Sequence, residues 1–102
     1  MRPIHLASLD KTRPVLVLTR EIAIGRLRTV TVAAVTSTVR GLATEVAVGP
    51  ANGLDHSSVV NLDNVFTIDQ RALGRKIGFL LDRQEHELHR AVVSAFDLDD
   101  DA

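Results

Sequence analysis

Thr-Arg-Pro-Val-Leu-Val-Leu-Thr (Thr12 to Thr19) and Thr-Val-Ala-Ala-Val-Thr-Ser-Thr (Thr31 to Thr38) are the two stretches whose reading decides the fold. Both are rich in Val, Leu and Thr, residues that suit a pleated, packed surface. Arg13 to Thr19 is apolar on both faces, which predicts a strand inside a sheet. Leu27 to Ser37 alternates, with Val30, Val32 and Ala34 on one face and Thr29, Thr31 and Ala33 on the other. If the two strands pair antiparallel about a turn near Gly25, residues whose numbers sum to about 49 face each other. Arg13 and Thr36 meet that condition. A cation and a hydroxyl side by side can hold a phosphate.

Outward from this pair the chain reads as short strands. Pro3 to Ser8 is expected as an edge strand, with Pro3 tolerated at its start. Glu21 to Gly25 is expected to make one helical turn, and Arg40-Gly41 a tight turn. Thr44 to Val48 is a strand closed by Gly49-Pro50, and Ala51 to His56 is a connection. Ser57 to Leu62 and Val65 to Ile68 are expected as two strands around Asp63-Asn64, and Ile77 to Leu81 as the last. The period then changes. Asp82 with Glu85 three residues on forms a capping-box pattern. Leu88, Val92, Ala95 and Phe96 follow at helical spacing, so Arg83 to Phe96 is expected as an amphipathic helix. Regular short strands with one terminal helix predict a mainly β fold, a small, strongly bent sheet or barrel.

At 102 residues the chain is expected to form one domain, 1–102. A chain of this size buries roughly 65% of its unfolded surface, enough for one modest core. With no cysteine, disulfides and thiolate metal sites are excluded. No apolar run approaches the ~20 residues of a membrane span, and Met1 to Ser8 is too short and polar for a signal peptide. A soluble, cytoplasmic protein is expected. The net charge of −1 argues against a generic nucleic-acid binder, but its distribution is uneven. Residues 1–40 hold seven Lys/Arg and two acids, a net of +5; residues 41–102 hold five basic and eleven acidic residues, a net of −6. A basic first half can supply a face that tracks a phosphate backbone. Three Phe without Tyr or Trp argue against base stacking on aromatic platforms. Any nucleic-acid contact would therefore run through Arg, Lys, hydroxyls and backbone.

The Arg13-Pro14-Val15 strand and the Ala33-Ala34-Val35-Thr36 strand, in this order and separation, resemble the MazF/PemK family of toxin–antitoxin endoribonucleases. Softer likenesses run through Ser58-Val59-Val60 and Thr67-Ile68-Asp69. The resemblance implies an SH3-like, CcdB-like barrel, a homodimer, a MazE-like antitoxin and a single-stranded RNA substrate. It also implies that Arg13 and Thr36 are the catalytic pair, working without metal or other cofactor. The reaction so implied is attack of the ribose 2′-hydroxyl on the adjacent phosphorus, leaving a 2′,3′-cyclic phosphate and a 5′-hydroxyl. Charge builds on the non-bridging oxygens, where a planar guanidinium fork fits and an ammonium fits less well. Losing one such donor typically costs about 3 kcal/mol. Lys11, Thr12, Ser37, Thr38 and Arg40 cluster near the same hairpin end and are candidate RNA contacts. No general base or acid follows: Arg13 is too strong a cation, Thr36 too weak a base, and His5 is only the nearest histidine by strand order.

Three features depart from the family pattern or invite other readings. Relatives usually carry a Gly/Ser-rich loop of about ten residues before the Arg-Pro; here Leu9-Asp10-Lys11-Thr12-Arg13 is a tight link, implying a more open groove. The helix segment Glu85-His86-Glu87-Leu88-His89 places its histidines three apart, not the four of a His-Glu-x-x-His zinc site, so a solvated helix face is expected. The acidic tail Asp97 to Ala102 is expected as a frayed, soluble end. The rival on the same fold is a non-enzymatic CcdB-like gyrase inhibitor, or an interaction module with a degenerate site. The CcdB family ends in Trp-Gly-Ile; this chain ends Asp-Asp-Asp-Ala and has no Trp.

Overall fold

The two apolar runs lie at the centre of one sheet, as their two-sided burial requires. The computed structural model describes residues 1–99, so positions 100–102 of the acidic tail lie outside the described residues. The strands are β1 (Arg2–Ser8), β2 (Thr12–Val17), β3 (Thr29–Thr36), β4 (Glu45–Val48), β5 (Ser58–Asp69) and β6 (Leu73–Leu80), followed by the helix α1 (Glu85–Phe96). They form a six-stranded sheet in the order β4-β5-β3-β2-β1-β6, with every neighbouring pair antiparallel. Glu21–Ala23 makes the expected single helical turn, of 3₁₀ type. The architecture is mainly β, as expected: a curled half-barrel with one C-terminal helix. No helix among the described residues is long and apolar enough to cross a membrane.

The pairing of β2 with β3 has the register read from the sequence. Val15 faces Ala34, Leu16 faces Ala33 and Val17 faces Val32. The two faces of this ladder fill different cores. Leu16, Ala33 and Val35 join Ile4, Val46, Val60, Leu62 and Leu80 beneath Leu88 and Ala91 of α1. Val15, Val17, Val30 and Val32 pack with Ala7 under Leu9, Ile24, Phe66, Ile68 and Leu73. Burial on both faces explains why these strands read as nearly unbroken apolar runs.

The curl is held by the segment after β4. Asn52 is 2% exposed and bridges to the other sheet edge. Its Oδ1 accepts the Gly49 N–H (3.0 Å), and its Nδ2 donates to the Phe79 carbonyl (2.9 Å) and to Gln84 Oε1 (2.7 Å). Gln84 in turn donates to the Ala47 carbonyl of β4. The backbones touch here: a Cβ on Gly53, whose φ is +88°, would lie 1.9 Å from the Ile77 carbonyl oxygen. Only glycine fits that approach.

Five expectations need correction. Pro3 to Ser8 is not an edge strand, because β6 covers the outer side of β1. That strand begins at Leu73 rather than Ile77; its added Gly74-Arg75-Lys76 is exposed and charged, a common protection for a sheet edge. The two strands expected around Asp63-Asn64 are one strand, β5, whose register against β3 slips between Ala33 and Ala34. The slip absorbs residues 62–64 as a bulge. Finally, Asp82 does not cap the helix. Asp82–Gln84 is a 3₁₀ turn ahead of α1, and the Leu81 N–H is satisfied by Gln84 Oε1 (2.9 Å). Glu85 instead accepts from Arg2 Nε at 3.1 and 3.0 Å, while Arg2 Nη1 donates to the Leu18 carbonyl, tying the helix start to the sheet. Phe96, expected on the apolar face, is 53% exposed.

Candidate active site

A missing hydrogen-bond donor opens the end of the β2–β3 ladder. The Leu18 N–H donates to the Thr31 carbonyl across the pair. Alternate residues of an antiparallel strand point their N–H the same way, so Leu16 and Pro14 also face β3. Pro14 has no N–H to give, and the β2–β3 pairing stops at Val15 opposite Ala34. Arg13 and Thr36 stand two residues past that last pair, on the face of Val15 and Ala34, with strands no longer joined between them. They remain fixed from their outer sides, Arg13 opposite Ala7 of β1 and Thr36 opposite Val59 of β5.

Two clefts meet at this gap. The first has a volume of about 620 Å³ and a floor of Leu9, Val15, Ala34 and Phe66. Its polar wall includes Asp10, Arg13, Thr36, Thr38, Arg40 and Asp63. The second, of about 490 Å³, opens on the other side of the same ladder end and includes Lys11, Thr12, Arg13, Thr36, Ser37 and His56. Both volumes are large enough to receive a nucleotide. Arg13 and Thr36 are the only two of the expected site residues that line both. Thr38 and Arg40 belong to the first cleft; Lys11, Thr12 and Ser37 belong to the second. The structure thus brings all seven around one point, divided between its two sides.

The local geometry leaves this pair ready for an anion. Leu9–Lys11 is a three-residue link closed by a hydrogen bond from the Leu9 N–H to the Lys11 carbonyl (3.0 Å). Asp10 sits in it and accepts from Arg13 Nε at 3.3 Å. That hydrogen bond first, then one from the Lys11 N–H, then the guanidinium charge, hold the Asp10 carboxyl below its usual range. The contact engages only Nε, so among the described residues the two terminal amino groups of Arg13 have no partner and form a free fork. Thr36 Oγ1 accepts the Thr38 N–H (3.1 Å), which leaves the hydroxyl proton free to donate and one lone pair free to accept. Glu45 shapes the far wall by accepting the N–H groups of Arg40, Gly41 and Leu42.

Residues 4–96 match the family model described as PemK-like, MazF-like toxin of type II toxin–antitoxin system. The chain belongs to this toxin family. An endoribonuclease of Mycobacterium tuberculosis, MazF3, is 60% identical to it over 99 residues, 97% of this chain and 96% of that protein. A solved structure of the Mycobacterium tuberculosis toxin MazF-mt6 superposes with a TM-score of 0.93 at 59% identity, covering 96% of this chain and 99% of the other. The MazE–MazF complex of Deinococcus radiodurans matches at a TM-score of 0.74 and 25% identity, covering 92% and 93% of the two chains. Its curated relatives make this MazF/PemK member part of an enzyme family.

Sequence reading missed several residues around the gap. Asp10 carried a usable signal, since a tight link places it three positions from Arg13. Asp63 and Asn61 enter the first cleft through the bulge of β5, and Asp55, His56 and Arg75 enter the second. Nothing local marks these, because their positions depend on the β5 bulge, the Asn52 bridge and β6. His5, the histidine considered from strand order, hydrogen-bonds the Gly74 carbonyl (2.9 Å) and lines neither cleft. His86 and His89 are exposed on α1.

Proposed function

We propose that this MazF/PemK-family protein is a toxin that cleaves single-stranded RNA at a short sequence by a metal-independent route, leaving a 2′,3′-cyclic phosphate and a 5′-hydroxyl. Arg13 and Thr36 form the catalytic pair. The scissile phosphate sits in the gap between them. The free fork of Arg13 takes its non-bridging oxygens, and the Thr36 hydroxyl donates to it from the other strand. Both interactions strengthen as the phosphorane gains charge, which is what lowers a barrier. Lys11, Thr12 and Ser37 on one side, and Thr38 and Arg40 on the other, hold the backbone entering and leaving the gap. The observation that carries this reading is the β2–β3 register ending at Pro14, which supports a guanidinium and a hydroxyl facing each other across an open ladder end.

The protein acts as a homodimer in the cytoplasm and is restrained by a small MazE-like antitoxin. Membership in a toxin–antitoxin family and the Deinococcus radiodurans MazE–MazF complex support that partner. Replacing Arg13 with Ala tests the function. The variant should keep its fold and antitoxin binding and lose RNA cleavage. An inhibitor of a protein target would keep its toxicity instead, and that result would overturn the proposal.

A further inference from the structure

The proposed reaction needs two proton transfers, and Arg13 and Thr36 supply neither. The geometry of the two clefts answers half of this need. The nucleophile and the leaving oxygen of a phosphoryl transfer stand on opposite sides of phosphorus, roughly in line. A phosphate between Arg13 and Thr36 therefore presents one of them to each cleft. The first cleft holds three carboxylates, Asp10, Glu45 and Asp63. Ionised carboxylates only accept. The second cleft holds Lys11, Arg13, Asp55, His56 and Arg75. Among these residue types, only histidine ordinarily titrates close to neutral pH and so can both carry a proton and give it up. His56 is exposed, and among the described residues its ring makes no hydrogen bond; only its carbonyl is used, by the Ser58 hydroxyl.

We propose that His56 is the general acid that protonates the departing 5′-oxygen. The inference rests on the endoribonuclease reading above. The O2′–P bond forms and the P–O5′ bond breaks. The 2′-hydroxyl proton passes to a carboxylate of the first cleft, and the imidazolium of His56 gives its proton to O5′. No water is consumed in this step, and the proton lost by one side is balanced by that delivered on the other. His56 reaches this place because the Asn52 bridge draws the segment after β4 against β6, so that Asp55, His56 and Arg75 line one cleft.

The test compares two RNAs carrying the cut sequence mapped on wild-type digests, one with the natural 5′-oxygen and one with sulfur in its place. A thiolate leaves without protonation. His56→Gln should lower kcat on the oxygen RNA by about 10²- to 10⁴-fold, the usual range for a lost general acid. On the sulfur RNA it should act within a few-fold of wild type. His56→Ala should behave alike and regain part of its oxygen-RNA rate in added imidazole. Equal losses on both RNAs would overturn the proposal, as would no loss on either. Failure of the underlying reading looks different: wild type would then cleave no RNA, or Arg13→Ala would cleave as well as wild type.

Discussion

Replacing Asn52 with Ala should loosen the fold and the second cleft together. Its carboxamide makes three hydrogen bonds of 3.0 Å or shorter, to the Gly49 N–H, the Phe79 carbonyl and Gln84. The side chain is 2% exposed, so the methyl that replaces it leaves these partners facing a small buried space. At about 1 kcal/mol for each bond, the loss is ~3 kcal/mol, and more where a partner stays dry. For a domain near 100 residues that lowers Tm by roughly 12–24 °C. Urea titration and thermal melting followed by circular dichroism measure it. Because Asn52 ties the end of β4 to β6, the wall made by Gly53 to His56 should also shift, and cleavage should fall even at temperatures where the variant is folded. A loss below about 1 kcal/mol would refute the reasoning, since water would then replace the side chain without cost.

Two further outcomes follow from the gap itself. Thr36→Val removes one hydroxyl aimed at a charged phosphate and should lower kcat by about 10- to 150-fold, the equivalent of ~1.5–3 kcal/mol, with melting nearly unchanged; Thr36→Ser should retain most activity. Asp10 should titrate below the ordinary carboxylate range, and Arg13→Ala should raise it back, as followed by carboxyl NMR shifts. The sign is that of a depressed acid: the Asp10–Arg13 contact is intact above the usual range and is lost as pH falls through the lowered value. An Asp10 insensitive to Arg13→Ala would contradict the 3.3 Å contact.

What could be read from the chain alone was what is encoded between neighbours in sequence. The β2–β3 register follows from two apolar runs and one turn, and it held residue by residue from Val15 to Val17. The seven proposed site residues stand out in the sequence because they flank that hairpin end, and they line the two clefts there. The rest depends on partners distant in sequence. The exposed Gly74-Arg75-Lys76 has no strand pattern of its own; pairing with β1 makes it one. The bulge in β5 arises where a continuous strand slips against β3, which no local signal marks. Asp82 and Glu85 form a fair capping pattern, but Arg2, 83 positions away, takes Glu85. His56 was read as part of a connection, and only the Asn52 bridge reveals which wall it forms.

The central claim is that a guanidinium and a hydroxyl at an opened strand pair drive transfer to the neighbouring 2′-oxygen. Incubating wild type and the Arg13→Ala variant with RNA in EDTA, then determining the chemistry of the new ends, tests it most directly. Wild type should give 2′,3′-cyclic phosphate and 5′-hydroxyl ends, and the variant should leave the RNA intact. Ends bearing 3′-hydroxyl and 5′-phosphate, or undiminished cleavage by the variant, would contradict the account.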